Sequence, residues 1–315
     1  MIRRAIIRPS RFQPSRIRLS TIRSRTEEVI TVLRELFLVS RPISWVNTAF
    51  PFGAAYLLGG GRVDLVFVLG VVFFLVPYNL AMYGINDVFD YESDLRNPRK
   101  GGVEGHLASP EQHRRILIAA AVACVPFLIA FVVLGTVLST AVLALSMFAV
   151  LAYSVRGLRF KEIPVLDSLT SSTHFSSPAW FALALLGDPV GRDGWLVLAA
   201  FFLWGIASQA FGAVQDIVPD REGGLASVGT VLGARATVRL TTSVYLLAGT
   251  LLVFTSWPVP LAGLLALPYA VNSARFWSIT DDTSAEAHRG WSVFLWLNYV
   301  VGFFVTMLML WVALG

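Results

Sequence analysis

LVFVLGVVFFLVPYNLAMYGINDVFDYESD, residues 65–94, runs through twenty-one mostly apolar positions and then ends in three aspartates and a glutamate. The apolar part is long enough to cross a hydrocarbon core, which takes roughly 20 residues. Charge beside a bilayer is expensive, so carboxylates there pair, hold an ion or line a wet cavity. On a helix, Asp87, Asp90 and Asp94 fall at i, i+3 and i+7, a single stripe. Asn86 lies next to that stripe and adds an amide oxygen.

Composition places this stretch in a membrane protein. Of the 315 residues, 56% are hydrophobic and 14% charged, with a mean hydropathy of +0.67. A soluble domain is about half apolar and a quarter charged. The single cysteine, Cys124, excludes a disulfide framework and a cysteine metal site. A net charge of +5 would suggest nucleic acid in a soluble chain. Here the charges sort by membrane side, and no nucleic-acid partner is expected.

The fold class expected is an all-α membrane protein with nine transmembrane helices. The spans are placed at about 36–58, 64–91, 115–134, 136–155, 164–186, 194–215, 237–256, 258–279 and 291–313. With the N-terminus cytoplasmic, 23 of the 25 Lys and Arg lie on the inner side and only Arg62 and Arg192 outside. Pro77, Pro126 and Pro268 fall inside spans and are expected to kink them. Two regions follow: a basic, disordered tail at 1–35 and a transmembrane domain at 36–315. Residues 1–26 hold eight arginines and no acid. That composition suits a tail on anionic headgroups or a mitochondrial-type presequence. There is no continuous apolar stretch for a secretory signal.

A second acidic cluster, AVQDIVPDREGG at 213–224, closes another apolar span with Asp216 and Asp220 four apart. Both clusters fall at cytoplasmic helix ends. Facing each other, they would repel strongly unless cations bridge them. Hard oxygen donors without nearby His or Cys suit Mg²⁺, an ion held by a few carboxylates together with substrate phosphates. Basic residues crowd the same face: Arg96, Arg99, Lys100, Arg159, Lys161 and Arg221. Guanidinium and ammonium groups are the usual partners of phosphate oxygens. Acid and base around one mouth therefore read as a diphosphate held through Mg²⁺.

NDVFDYESD and DIVPD, each closing a hydrophobic helix, resemble the two aspartate-rich motifs of the UbiA superfamily of intramembrane prenyltransferases. The resemblance spans essentially the whole chain from residue 36. It implies nine helices around a central cavity, an isoprenoid diphosphate donor bound through Mg²⁺, and prenyl transfer to a hydrophobic acceptor. SRPISWVNTAFPFGAAYLL, MYGINDVFDYESDLRNPRKGGVEG, LTSSTHF, FLWGIASQAFGAVQDIVPDRE and NSARFWSITD are similar to the lycopene elongase branch of carotenoid-making actinobacteria. That branch adds C5 units from dimethylallyl diphosphate to lycopene on the way to C50 carotenoids. By resemblance, Asn86, Asp87, Asp90 and Asp94 hold one Mg²⁺, Asp216 and Asp220 a second, and the five aspartates are catalytic. Arg41, Asn47, Arg99, Lys100, Tyr153, Arg159 and Lys161 are expected to bind the diphosphate. The arginine-rich N-terminus has no counterpart in the pattern. The expected location is a bacterial cell membrane, amid lipid.

Ionising an allylic diphosphate leaves a cation that must meet an alkene before it meets water. Aromatic faces suit that cation, and Tyr153, Phe175, Trp180, Trp204 and Phe211 are candidates. His174, in LTSSTHF, either steers the product cation or is a hydrogen-bonded structural residue. Asp167 is expected to pair with Lys161. Asp281, Asp282 and Glu286 read as a solvated patch, and the glycine-rich loop 95–113 as a lid over the diphosphate. Two other readings stay open: a related transferase with an aromatic or quinone-precursor acceptor, and a divalent-cation transporter.

Overall fold

The computed structural model describes residues 16–95 and 107–314, and among these every regular element is a helix. In chain order they are α1 (Arg16–Val39), α2 (Val46–Leu58), α3 (Leu65–Leu75), α4 (Pro77–Asp94), α5 (Pro110–Leu134), α6 (Val137–Ser154) and α7 (Leu166–Leu186). There follow α8 (Arg192–Val214), α9 (Ile217–Glu222), α10 (Val228–Leu232), α11 (Ala234–Leu252), α12 (Pro260–Gly263), α13 (Leu267–Ala274) and α14 (Ala287–Leu314). Five stretches are long and apolar enough to cross a membrane: 65–92, 110–134, 137–154, 192–214 and 281–313. Their outward faces, such as Val122, Ile129 and Val133 on α5 or Trp296, Phe303 and Phe304 on α14, are exposed apolar surface. Surface of that extent and pattern is what lipid covers.

The helices differ from a set of uninterrupted spans at three places. The first span breaks: α1 stops at Val39, a 3-10 turn spans Pro42–Ser44, and α2 starts at Val46. Pro42 disfavours the α conformation in the residue before it, and Arg41 takes φ 49°, ψ 73°. The second span is interrupted at Pro77, where α3 ends and α4 begins. There the side chains of Thr48 (2.7 Å) and Asn79 (2.8 Å) donate to the Phe74 carbonyl, and Asn79 also donates to Leu75 O at 3.1 Å. Side chains from a neighbouring helix thus re-satisfy backbone groups near the proline. The eighth span splits into α12, a 3-10 turn and α13, with Pro268 at the start of α13. Pro126, by contrast, lies inside a continuous α5.

The N-terminal segment is also more ordered than its composition suggests. Helix runs from Arg16, so residues 16–35 do not form the disordered tail expected; residues 1–15 lie outside the described residues. Apolar Leu36 and Val39 pack into the core, and buried Glu35 pairs with Arg115 of α5 at 3.6 Å.

At the centre is α7, packed against α2, α6 and α8. It buries Ser168, Ser171, Ser172, Ser176 and Ser177, small residues that let helices approach closely without a hydrocarbon-exposed hydroxyl. Ser146 and Ser177 share a hydrogen bond at 2.7 Å, and Ser172 donates to Phe202 O at 2.6 Å. A Cβ on Gly205 would fall 2.3 Å from Ser172 Oγ, so only glycine fits that crossing.

The loop entering α7 carries a strained residue. Val165 has φ 74°, ψ −46°, an unfavourable geometry for a β-branched side chain, and is largely exposed. Such strain costs about 1–3 kcal/mol, against the roughly 0.5–1 kcal/mol that glycine loses in entropy. Val165→Gly is therefore expected to stabilise the protein by about 0.5–1 kcal/mol, read as a higher midpoint of thermal unfolding in detergent. A lower midpoint would mean that the turn holds no strain to release.

Candidate active site

One cavity of about 650 Å³ collects the chemistry. The C-terminal half of α4 brings Asn86, Asp90, Glu92 and Asp94 to its wall. The turn between α8 and α9 brings Gln215 and Asp216, and α9 itself brings Asp220. The segment after α6 adds Arg156, Arg159 and Lys161, with Tyr153 from α6 itself; the break between α1 and α2 adds Arg41 and Ser44, and the start of α2 adds Asn47. The two acidic motifs thus open onto one space from separate helices.

The first motif is held by cations. Asp87 is 1% exposed, and its Oδ1 accepts from Arg41 Nη2 at 2.6 Å. Arg41 lies over the Tyr83 ring at 4.3 Å and is itself the residue facing the cavity, with Asp87 behind it. Asp90 pairs with Lys161 and, at 3.7 Å, with Arg159. Arg159 also pairs with Glu162 and donates to Phe89 O at 3.3 Å. The hydrogen bond to Glu162 is the main influence raising the Arg159 pKa above its ordinary value. Like Arg41, Arg159 has a left-handed backbone, with φ 43°. The carboxylates thus sit among positive charges that offset their burial.

In the second motif, the helix breaks at Gln215–Asp216 and resumes as α9, so Asp216 caps a new turn. Gln215 Oε1 lies 2.9 Å from His288 Nδ1 on α14, which ties the motif to the last helix.

Farther in, the lining changes character. Two turns back along α8 from Asp216, Gln209 donates from Nε2 to Tyr153 Oη at 3.1 Å and accepts at Oε1 from Ser171 at 2.9 Å. About three turns back from Asp216, Trp204 joins Phe175, Trp291 and Phe294 as an aromatic inner wall. Trp204 and Trp291 each stack on Phe294.

Several sequence expectations need correction. Asp167 does not meet Lys161; its two oxygens accept from the backbone N–H groups of Ser168 (2.7 Å) and Val228 (2.9 Å), tying α7 to the start of α10. Lys161 goes to Asp90 instead. Arg221 points away from the cavity to Thr230 O (2.7 Å) and Asp281 (2.6 Å). Asp281, expected to be solvated, also accepts from Ala234 N at 2.7 Å. Phe211 packs on Phe276 and Trp180 on Phe202, and neither lines the cavity. Arg96, Arg99, Lys100 and most of the loop read as a lid lie outside the described residues. Gln209, Gln215, Trp291 and Phe294 were not singled out from sequence, although an amide inside the apolar run FLWGIASQAFGAV was a visible signal.

Among the described residues, no three His, Cys, Asp or Glu side chains converge closely enough to form a closed metal cage. The donor set still fits a hard divalent ion. Its members are carboxylate and amide oxygens around an open cavity, and Asp87 Oδ2 is buried without a hydrogen-bond partner. Mg²⁺ characteristically uses only one or two carboxylates and completes its shell with water and phosphate.

A helical shell with apolar outer faces thus surrounds one cavity that is charged at one end and aromatic at the other. Residues 48–299 match the model of the UbiA prenyltransferase family, and the chain belongs to that family and is a prenyltransferase. A lycopene elongase/hydratase of Corynebacterium glutamicum is 53% identical over 278 residues, 88% of this chain and 97% of the relative. The C(50) beta-cyclic carotenoids biosynthesis protein LbtBC of a Dietzia species is 55% identical over 284 residues, 90% of this chain and 66% of the relative. The fold is also that of a UbiA homologue from Archaeoglobus fulgidus solved with DMAPP and Mg²⁺. That structure has a TM-score of 0.61 and 17% identity, over 84% of this chain and 98% of that one.

The Arg41–Asp87 pair yields a direct test. Breaking a buried pair by removing one partner typically costs about 3–5 kcal/mol. Arg41→Met is expected to destabilise by that amount, and adding Asp87→Asn to recover most of it, measured by thermal unfolding in detergent. Additive losses in the double variant would show that the two residues do not couple.

Proposed function

We propose that this protein transfers a C5 prenyl unit from dimethylallyl diphosphate to lycopene in a bacterial cell membrane, acting as a Mg²⁺-dependent lycopene elongase. The observation that carries the reading is the opening of Asp90, Asp94, Asp216, Asp220, Arg159 and Lys161 onto one cavity with an aromatic inner wall. Similarity over nearly the whole chain to proteins named lycopene elongase/hydratase supports the acceptor. The spans in this reading are α2, α3–α4, α5, α6, α7, α8, α11, α12–α13 and α14, nine in all. The bias of Lys and Arg to one side supports a cytoplasmic N-terminus.

Asn86, Asp87, Asp90 and Asp94 would hold one Mg²⁺, and Asp216 and Asp220 a second. Bound there, the ions would neutralise charge growing on the departing diphosphate. The remaining work belongs to side chains. Arg41, Arg159 and Lys161 already stand beside the carboxylates and would bind diphosphate oxygens, with Asn47 and Tyr153 alongside. Phe175, Trp204, Trp291 and Phe294 would keep water from the allyl cation and present π-faces to it. Lycopene would enter end-on from the surrounding lipid.

Expression in a lycopene-producing bacterial host tests the reading. C45 and C50 pigments are expected from the wild type. Asp87→Ala and Asp216→Ala should lower their yield by about 100-fold or more, the scale on which lost transition-state charge stabilisation acts. In isolated membranes, chelation should stop the reaction and added Mg²⁺ restore it. Unchanged lycopene with the wild-type chain present in the membrane would overturn the acceptor assignment.

A further inference from the structure

His174 is 3% exposed, sits on the wall of the cavity and has an Nε2 with no hydrogen-bond partner. Leaving a buried nitrogen unsatisfied is costly, so a polar group kept that way needs a reason. Its neighbours do not supply one. The Tyr153 ring meets the imidazole edge-on at 5.2 Å, a contact that leaves the ring nitrogen without a hydrogen bond. A neutral imidazole with Nε2 unpartnered has a lone pair available there in one of its two tautomers. Tyr78 binds the backbone of His174 (Oη to O, 3.2 Å), which fixes the helix there without touching the ring.

Its position is equally specific. His174 lies seven residues along α7 from Asp167, about 10 Å at the rise of an α-helix. It is one turn beyond Ser171, in the layer between the Gln209–Tyr153 hydrogen bond and the Phe175–Trp204 wall. Of the carboxylates of the first motif, Asp87 is held by Arg41 and Asp90 by Arg159 and Lys161. Among the described residues lining the cavity, His174 is the one imidazole.

We propose that His174 is the base that resolves the cation left on the acceptor, an inference that rests on prenyl transfer to an alkene. The π pair of the acceptor's terminal alkene forms the new C–C bond to C1 of the donor. The C1–O bond breaks, and its electrons leave on diphosphate. The acceptor now carries a tertiary cation. In one outcome Nε2 takes a proton from the adjacent carbon, and the C–H electrons become a new double bond. In the other, water adds to the cation, and Nε2 takes the proton that the water releases. The imidazolium then returns its proton to water at the cavity mouth. The name elongase/hydratase carried by similar proteins matches these two outcomes of one cation.

The test measures diphosphate release and carotenoid products separately, in membranes supplied with labelled dimethylallyl diphosphate and lycopene. His174→Phe removes the base, and His174→Gln keeps size and polarity with negligible basicity. For both, diphosphate release is expected to stay within about threefold of wild type. Carotenoid formed per diphosphate released should fall at least tenfold, because an adduct cation left without its base reverts and the regenerated allyl cation is captured by water as the free C5 alcohol; the ratio of hydroxylated to unsaturated product should shift as well. Should the phenylalanine variant not accumulate, the glutamine variant decides alone. If carotenoid and diphosphate fall together with an unchanged product ratio, His174 is structural and the proposal fails. Wild-type partitioning in both variants also overturns it, and assigns the proton to the departing diphosphate. If the wild type itself extends no lycopene, the acceptor assignment has failed, not the role of His174.

Discussion

Keeping carboxylates charged inside a lipid-facing bundle is the condition on which this molecule is built. An unpaired buried carboxylate costs several kcal/mol or takes up a proton. Here Asp87 is held by Arg41, and Asp90 by Lys161 and Arg159. Those partners come from the α1–α2 turn and from the segment after α6, so the charge of α4 draws two distant pieces of chain onto one helix end. The same pairings leave the bases where an anionic head would meet them. Structure and chemistry share one set of contacts.

Beyond that charged rim, the cavity exists because the helices around it approach closely elsewhere. Serines along α7 and Gly205 on α8 bring those two helices together, while the bulky side chains of α8 and α14 stand back as the Trp204–Phe294–Trp291 stack. The result is graded from ions, through neutral hydrogen bonds, to aromatic faces. A substrate with a charged head and a hydrocarbon body finds matching surroundings at each depth. The gradient also separates the group that leaves from the cation that must be protected.

Much of this was legible in the sequence, because carboxylates at helical spacing after an apolar run are too costly to stand there without cations to hold. Asp90 and Asp94 line the cavity from α4, with Asp87 behind Arg41 on the same helix, and Arg159 and Lys161 line the same cavity. What escaped were partnerships set by packing. Lys161 and Asp167 are close in sequence and invite pairing, yet Asp167 caps α10 and Lys161 crosses to α4. Arg221 looks like a phosphate ligand beside Asp220 but serves Asp281 and the α10 backbone. The break at Arg41-Pro42 carried its signal in the proline. Hydropathy alone ran a span through it, since the residues on both sides are apolar. Gln209 showed only as an amide in a greasy run, and its role depends on Tyr153 and Ser171 from two other helices.

The two arginines that grip the aspartates share an uncommon backbone, with φ of 49° at position 41 and 43° at position 159. Glycine would relax either position, and neither can become glycine without losing its cation. Selection for thermal tolerance therefore meets a barrier at these two sites: the substitution that most eases the chain is the one that disarms it. Any lineage that improves robustness must do so elsewhere in the bundle. At positions 41 and 159, backbone ease and side-chain charge are thus opposing demands on a single residue.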